Sequence, residues 1–159
     1  MDNKILLIYY SRTGYTKKIM NYLSEKTKSD IEEIKEDKDR SGIIEYIKSG
    51  YESLTKKKPE IHELKNDPAD YEMVVIGSPV WASRMASPVR TFMTKYKNDI
   101  NKAIFITCQK GTVNGKAFDD MEETLEKKEI KSLGLREEHV DNDIHKVMID
   151  DLLCEIKYS

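Results

Sequence analysis

The chain lacks most of what marks a secreted, membrane-spanning or metal-built protein. Its 159 residues include two cysteines, Cys108 and Cys154. A small scaffold stapled by disulfides needs more, so the pair reads as free thiols of a reducing compartment. No apolar run approaches the roughly 20 residues that cross a bilayer. Ile5-Leu6-Leu7-Ile8 is too short for the core of a secretion signal and runs straight into a polar loop, so a cytoplasmic location is expected. His62, His139 and His145 lie apart, without metal-ligand spacing. A net charge of only −2 supplies no field for nucleic acid. There is no linker, low-complexity tract or internal repeat.

What the chain has is blocks. Hydrophobic residues make up 38% and charged residues 35%, so a compact core sits inside a heavily charged shell. The length fits a single domain over 1–159. Lys4–Tyr10, Met73–Gly77 and Ala103–Cys108 are near-continuously apolar, as strands covered on both faces are. Ile31–Ile34 and Ser132–Leu135 are weaker strand candidates. Between them, helical spacing runs over Thr16–Lys26, Ser41–Lys57, Ser87–Lys97, Lys116–Lys128 and Asn142–Lys157. The second carries Ile43, Ile47, Tyr51 and Leu54, the stripe of a helix that buries one face. Five strand–helix repeats predict an α/β fold, a three-layer α/β/α sandwich around a five-stranded parallel sheet. The charge-dense stretches Asp30–Arg40 and Lys56–Lys58 are expected to be solvated helix ends and loops.

In open parallel sheets, ligands bind beyond the carboxyl ends of the strands, where strand order reverses. The unusual residues collect there. Ser11-Arg12-Thr13-Gly14-Tyr15-Thr16 follows the first strand, Ser78-Pro79-Val80-Trp81-Ala82-Ser83 the third, and the segment from Cys108 to Gly115 the fourth. They hold or adjoin the only tryptophan, four of the seven glycines and one of the two cysteines. The first loop offers three hydroxyls and a glycine just as a helix begins. A helix N-terminus presents unpaired N–H groups and partial positive charge, which suits a phosphate monoester. Neither the G-x-G-x-x-G fingerprint nor the Walker lysine is present there.

Other chemistries on similar sheets fail residue by residue. Ser78 lacks the G-x-S-x-G elbow of hydrolases. A receiver domain needs an aspartate where Ser78 stands, and a small tyrosine phosphatase needs a cysteine where Ser11 stands. Cys108 has no histidine near it in sequence and reads as a small packed residue.

Tyr9-Tyr10-Ser11-Arg12-Thr13-Gly14-Tyr15-Thr16 resembles the phosphate-loop signature of the flavodoxin family, and Gly77-Ser78-Pro79-Val80-Trp81-Ala82 is similar to its first flavin-flanking loop. The resemblance runs over essentially the whole chain in its short-chain form and implies strand order 2-1-3-4-5. It implies FMN as cofactor, with Ser11, Thr13, Gly14, Tyr15 and Thr16 on the phosphate and Arg12 at a variable position. Trp81 would stack on the ring, flanked by Ser78, Pro79, Val80 and Ala82. The backbone of Cys108, Gln109, Lys110, Gly111 and Thr112 would meet the ring's polar edge.

Two departures matter. The second flanking segment, Cys108-Gln109-Lys110-Gly111, holds no aromatic residue. The chain is also nearly neutral where carrier flavodoxins are acidic, and Lys110 points to a less negative reduction potential. No glycine follows Trp81, so a backbone flip to positive φ at Ala82 or Ser83 is expected to be costly. Two roles follow from the resemblance: electron transfer between redox partner proteins, or an FMN-dependent NAD(P)H oxidoreductase passing electrons from a nicotinamide donor to a quinone or similar small-molecule acceptor. A non-flavin binding module is the third reading. Neither nucleic acid nor a membrane span is expected.

Overall fold

The computed structural model describes residues 4–111, 115–127 and 131–157. The lysine ending the expected fourth helix, Lys128, lies outside the described residues, as does Thr112. Five parallel strands form the sheet: β1 (Ile5–Tyr9), β2 (Asp30–Glu33), β3 (Met73–Trp81), β5 (Ala103–Gln109) and β6 (Lys131–Arg136). Their order is β2-β1-β3-β5-β6, so chain order reverses beside β1 as expected. A sixth strand, β4 (Arg84–Met85), pairs antiparallel with the end of β3.

The pleat sorts the core into two layers. Leu6, Ile8, Val74, Ile76 and Phe105 point to one face, where α3 (Ser87–Tyr96) and α4 (Ala117–Leu125) bring Phe92, Met93 and Met121. Leu7, Val75, Ile104 and Ile106 point to the other, against α1 (Tyr15–Thr27) and α6 (Ile144–Lys157). Gly77 lets α1 approach, because a Cβ there would come within 2.8 Å of the Met20 sulfur. No helix among the described residues is long and apolar enough to cross a membrane.

Four local features depart from the sequence reading. First, Ser78–Trp81 is strand rather than loop, and Ala82 and Ser83 form the two-residue turn into β4. Both stand at positive φ, 48° and 65°, as a hairpin turn of the type I′ kind requires. The conformation is costly for residues with side chains, and the surroundings hold it. Asp120 accepts a hydrogen bond from the Met85 amide at 3.3 Å and pairs with Arg90, while Gly115 lets the chain pass against Ser83.

Second, α2 (Gly42–Leu54) turns the wrong way. Its expected core stripe, Ile43, Ile47, Tyr51 and Leu54, faces outward, and its buried residues are Ser49 and Ser53. Small residues seat this helix close to the β3–β4 turn; Gly50 would carry a Cβ 3.7 Å from that of Ala82. Third, Arg40 is buried rather than solvated. It pairs with Glu36 and with Glu52 at 2.9 Å, and donates to the Ser49 hydroxyl at 3.0 Å. This ionic cluster replaces the apolar contact that α2 was expected to make. Fourth, an unexpected short helix, α5 (Glu137–Asp141), follows β6 at once, and Asp143 at φ 59° separates it from the expected last helix, α6.

Candidate functional site

A cleft of about 570 Å³ opens at the carboxyl ends of the parallel strands. That lies within the range of small-molecule sites. On its β1 side, Gly14 takes the left-handed conformation at φ 97° and starts α1. No atom lies within 4 Å of where its Cβ would be, so backbone geometry rather than space requires glycine there. The Ser11 hydroxyl accepts from the amides of Gly14 at 3.1 Å and Lys17 at 3.3 Å, which shapes the loop into a cap. Thr13 is exposed at the rim. The donor set on this side is N–H and hydroxyl, the chemistry a phosphate needs.

The opposite wall comes from β3 and β5. Pro79, Val80 and Trp81 line it beside Cys108, Gln109 and Lys110. Trp81 is mostly buried. Its ring meets Tyr10 edge-on at 5.5 Å, and the Arg40 guanidinium lies 5.1 Å from its centroid. The cation and the second aromatic fix the indole's orientation and leave little of it exposed. Burial pushes the Cys108 thiol up to about 12, with Glu137 and Asp141 adding to it, so the thiol stays neutral and is a wall rather than a nucleophile. Burial also raises the Tyr10 pKa, reinforced by Glu36, which accepts its hydroxyl hydrogen at 3.0 Å. Among the described residues, no cluster of His, Cys, Asp and Glu could hold a metal ion.

The family model described as Flavodoxin matches residues 4–151, nearly the whole chain. The chain belongs to the flavodoxin family. Among solved structures it is similar to a flavoprotein of Lactobacillus acidophilus NCFM in complex with FMN, at 26% identity and TM-score 0.72, over 88% of this chain and 97% of that one. An archaeal flavodoxin aligns at 14% identity and TM-score 0.57, over 97% and 99% of the two chains. The two-electron reduced flavodoxin of Megasphaera elsdenii aligns at 15% and 0.53, over 82% and 85%. These last two share the fold alone. No protein with a curated description matches the chain.

For a flavodoxin-family chain, the cleft draws on more strands than the sequence reading used. Ser11, Arg12, Thr13, Tyr15, Pro79, Val80, Trp81, Cys108, Gln109 and Lys110 come together in it. Gly14 shapes the loop from behind. Thr16 is buried in the first turn of α1 and does not line the cleft. Ser78 is buried too, its hydroxyl accepting from the Ala86 amide at 3.0 Å. Ala82 and Gly111 are exposed outside the cleft.

Five further residues line it from segments that read in sequence as charged loop or surface helix: Asp39, Arg40, Ser41, Gly42 and Tyr46. Arg12 ties them to the loop after β1. It donates to the Gly42 carbonyl at 3.2 Å and lies 5.0 Å from the centroid of Tyr46. Glu137, just beyond β6, completes the rim. The rule that ligands gather at strand carboxyl ends applies equally to β2 and β6, and could have found them.

Proposed function

We propose that the described residues act as one FMN-binding domain whose bound flavin carries electrons. The observation supporting this is the pairing, across one cleft, of a Gly14-started helix N-terminus with Trp81. The first amides of α1 and the Thr13 hydroxyl would hold the phosphate. Ser11 keeps the loop in shape through its two accepted bonds. Pro79, Val80 and Trp81 would cover the ring system and exclude water, and the end of β5 would offer backbone groups to its polar edge. When bound, FMN supplies reversible acceptance of one or two electrons. The protein supplies the field around it. Lys110 brings a positive charge to the cleft, which favours the more negatively charged state of whatever binds there.

Single-electron transfer between protein partners is the reading that needs no further pocket. Reduction by a nicotinamide donor is a second reading, favoured by Lys110 and the near-neutral chain. One experiment separates them. Trp81 is the only tryptophan, so its fluorescence reports the cleft alone. Titrating FMN into the apoprotein is expected to quench it and give a yellow complex. Thr13→Ala should weaken binding roughly tenfold or more, the worth of a hydrogen bond to a charged group. Thr13 serves better than Ser11, whose removal would also uncap α1. Anaerobic bleaching of the complex by NAD(P)H alone points to the enzyme, and its absence to the carrier. No quenching and no colour would reject the cofactor reading.

A further inference from the structure

The outward face of α2, apart from Tyr46 at the rim, does not line the cleft. Ile43, Ile44, Tyr46, Ile47, Tyr51 and Leu54 are between 57% and 81% exposed. They stand on one helix face and make a contiguous apolar patch, the kind of surface that marks a protein interface. A lone soluble chain ordinarily shows smaller apolar patches. Nothing in the fold forces this orientation for want of core, since the inner face is filled by Ser49, Ser53 and the Arg40 cluster.

We propose that this face is where two copies of the chain pair, with their α2 helices antiparallel about a two-fold axis through Ile47. Two features favour a second copy. The stripe is symmetric in sequence about Ile47: Ile43 lies four residues before it and Tyr51 four after. An antiparallel mate therefore sets Ile47 against itself and Ile43 against Tyr51, an isologous contact.

The ends carry opposite charge. The chain enters α2 through exposed Asp39, with Asp37 beside His62 at 2.7 Å, and leaves it through exposed Lys57 and Lys58, with Lys56 3.2 Å from Glu123. Lys38, among the entering residues, is already held by Glu52 at 2.7 Å and Glu45 at 3.4 Å. Antiparallel pairing brings the acidic entry of one copy to the basic exit of the other, while a parallel pair sets like against like. The helix dipoles oppose in the same sense.

Sedimentation of the full chain over a hundredfold dilution tests this by mass, without reference to colour. The wild type is expected to dimerise. Ile47→Lys, which sets two like charges together on the axis, should raise the dissociation constant at least tenfold and leave the circular dichroism unchanged. A second measurement fixes the register. In a Cys154→Ser background, with Cys108 buried, Ile47→Cys alone should form an oxidised dimer. Ile43→Cys alone should not, and Ile43→Cys combined with Tyr51→Cys should. A wild type monomeric throughout, a dimer indifferent to Ile47→Lys, or cross-linking by Ile43→Cys alone overturns the proposal. So does a monomer that floats with anionic lipid vesicles, which would assign the face to a membrane surface.

Discussion

Two helices of this chain follow neighbouring strands, border the same cleft and have similar amphipathic sequences, yet they face opposite ways. Helix α1 buries Ile19, Met20 and Leu23 against the sheet. Helix α2 buries Ser49 and Ser53 and holds its isoleucines out. Periodicity shows that a helix has a distinct apolar face. It does not show that the face belongs to the chain's own core. What decides is the inner contact. Gly77 opens room for α1 to seat apolar side chains, whereas Arg40, Glu36 and Glu52 occupy the space under α2 with charge.

The comparison is most easily broken at Arg40. Its removal strips Glu36 of its cation and leaves Glu52 to Lys38 alone, and breaking such a buried pair costs about 3–5 kcal/mol. Arg40→Ala should lower the urea midpoint accordingly and release α2, read as lost protection of its amides. A variant as stable as the wild type would mean that α2 is held by something other than its ionic inner face. On the α1 side, Ile19→Ala removes a fully buried side chain and should cost about 2–5 kcal/mol through lost burial and the cavity left.

This contrast also explains what could be read from the sequence. The sheet was legible because its strands are near-continuous apolar runs, and the loop on the β1 side of the cleft because three hydroxyls and Gly14 follow one of them. Two kinds of information were missing. Arg40 reads as a solvated charge in sequence, since its partners Glu52 and Ser49 meet it only through folding. Likewise, Ala82 and Ser83 carry no turn signature; their positive φ is imposed by the hairpin, Gly115 and the Asp120 cluster. Thr16 fits the phosphate-loop spacing, but helical rotation in the first turn carries it inward.

Acid sharpens the difference between the helices. Burial tends to raise the pKa of Glu52 and Glu45, but hydrogen bonds from Lys38 outweigh it, joined by Arg40 for Glu52 and Lys48 for Glu45, so both lie below 4.5. A carboxylate depressed in the folded state adds stability that is full above its unfolded value and is lost as pH falls through the folded one. Between pH 7 and pH 3, amide protection in α2 should therefore fall before that in α1, whose buried side chains Ile19, Met20 and Leu23 are apolar and whose ion pairs, Lys17–Glu33 and Lys26–Asp150, lie at the surface. Simultaneous loss in both helices would argue against a separate ionic seat.

The smallest effect is expected on the outer stripe. Ile47 sits on α2 as Ile19 sits on α1, one residue type at comparable points of two helices. In a single chain Ile47→Ala removes surface already in water, and alanine is the better helix former, so at concentrations where the chain is monomeric stability should change by less than about 0.5 kcal/mol. At concentrations where copies pair, the same substitution should lower the melting temperature, because pairing stabilises the folded state by mass action. The dependence on concentration separates the two possibilities. A loss at high dilution as large as that of Ile19→Ala would mean that the stripe packs within its own chain and that α2 faces inward after all. A loss that appears only on concentration would place the missing half of its contact on another copy.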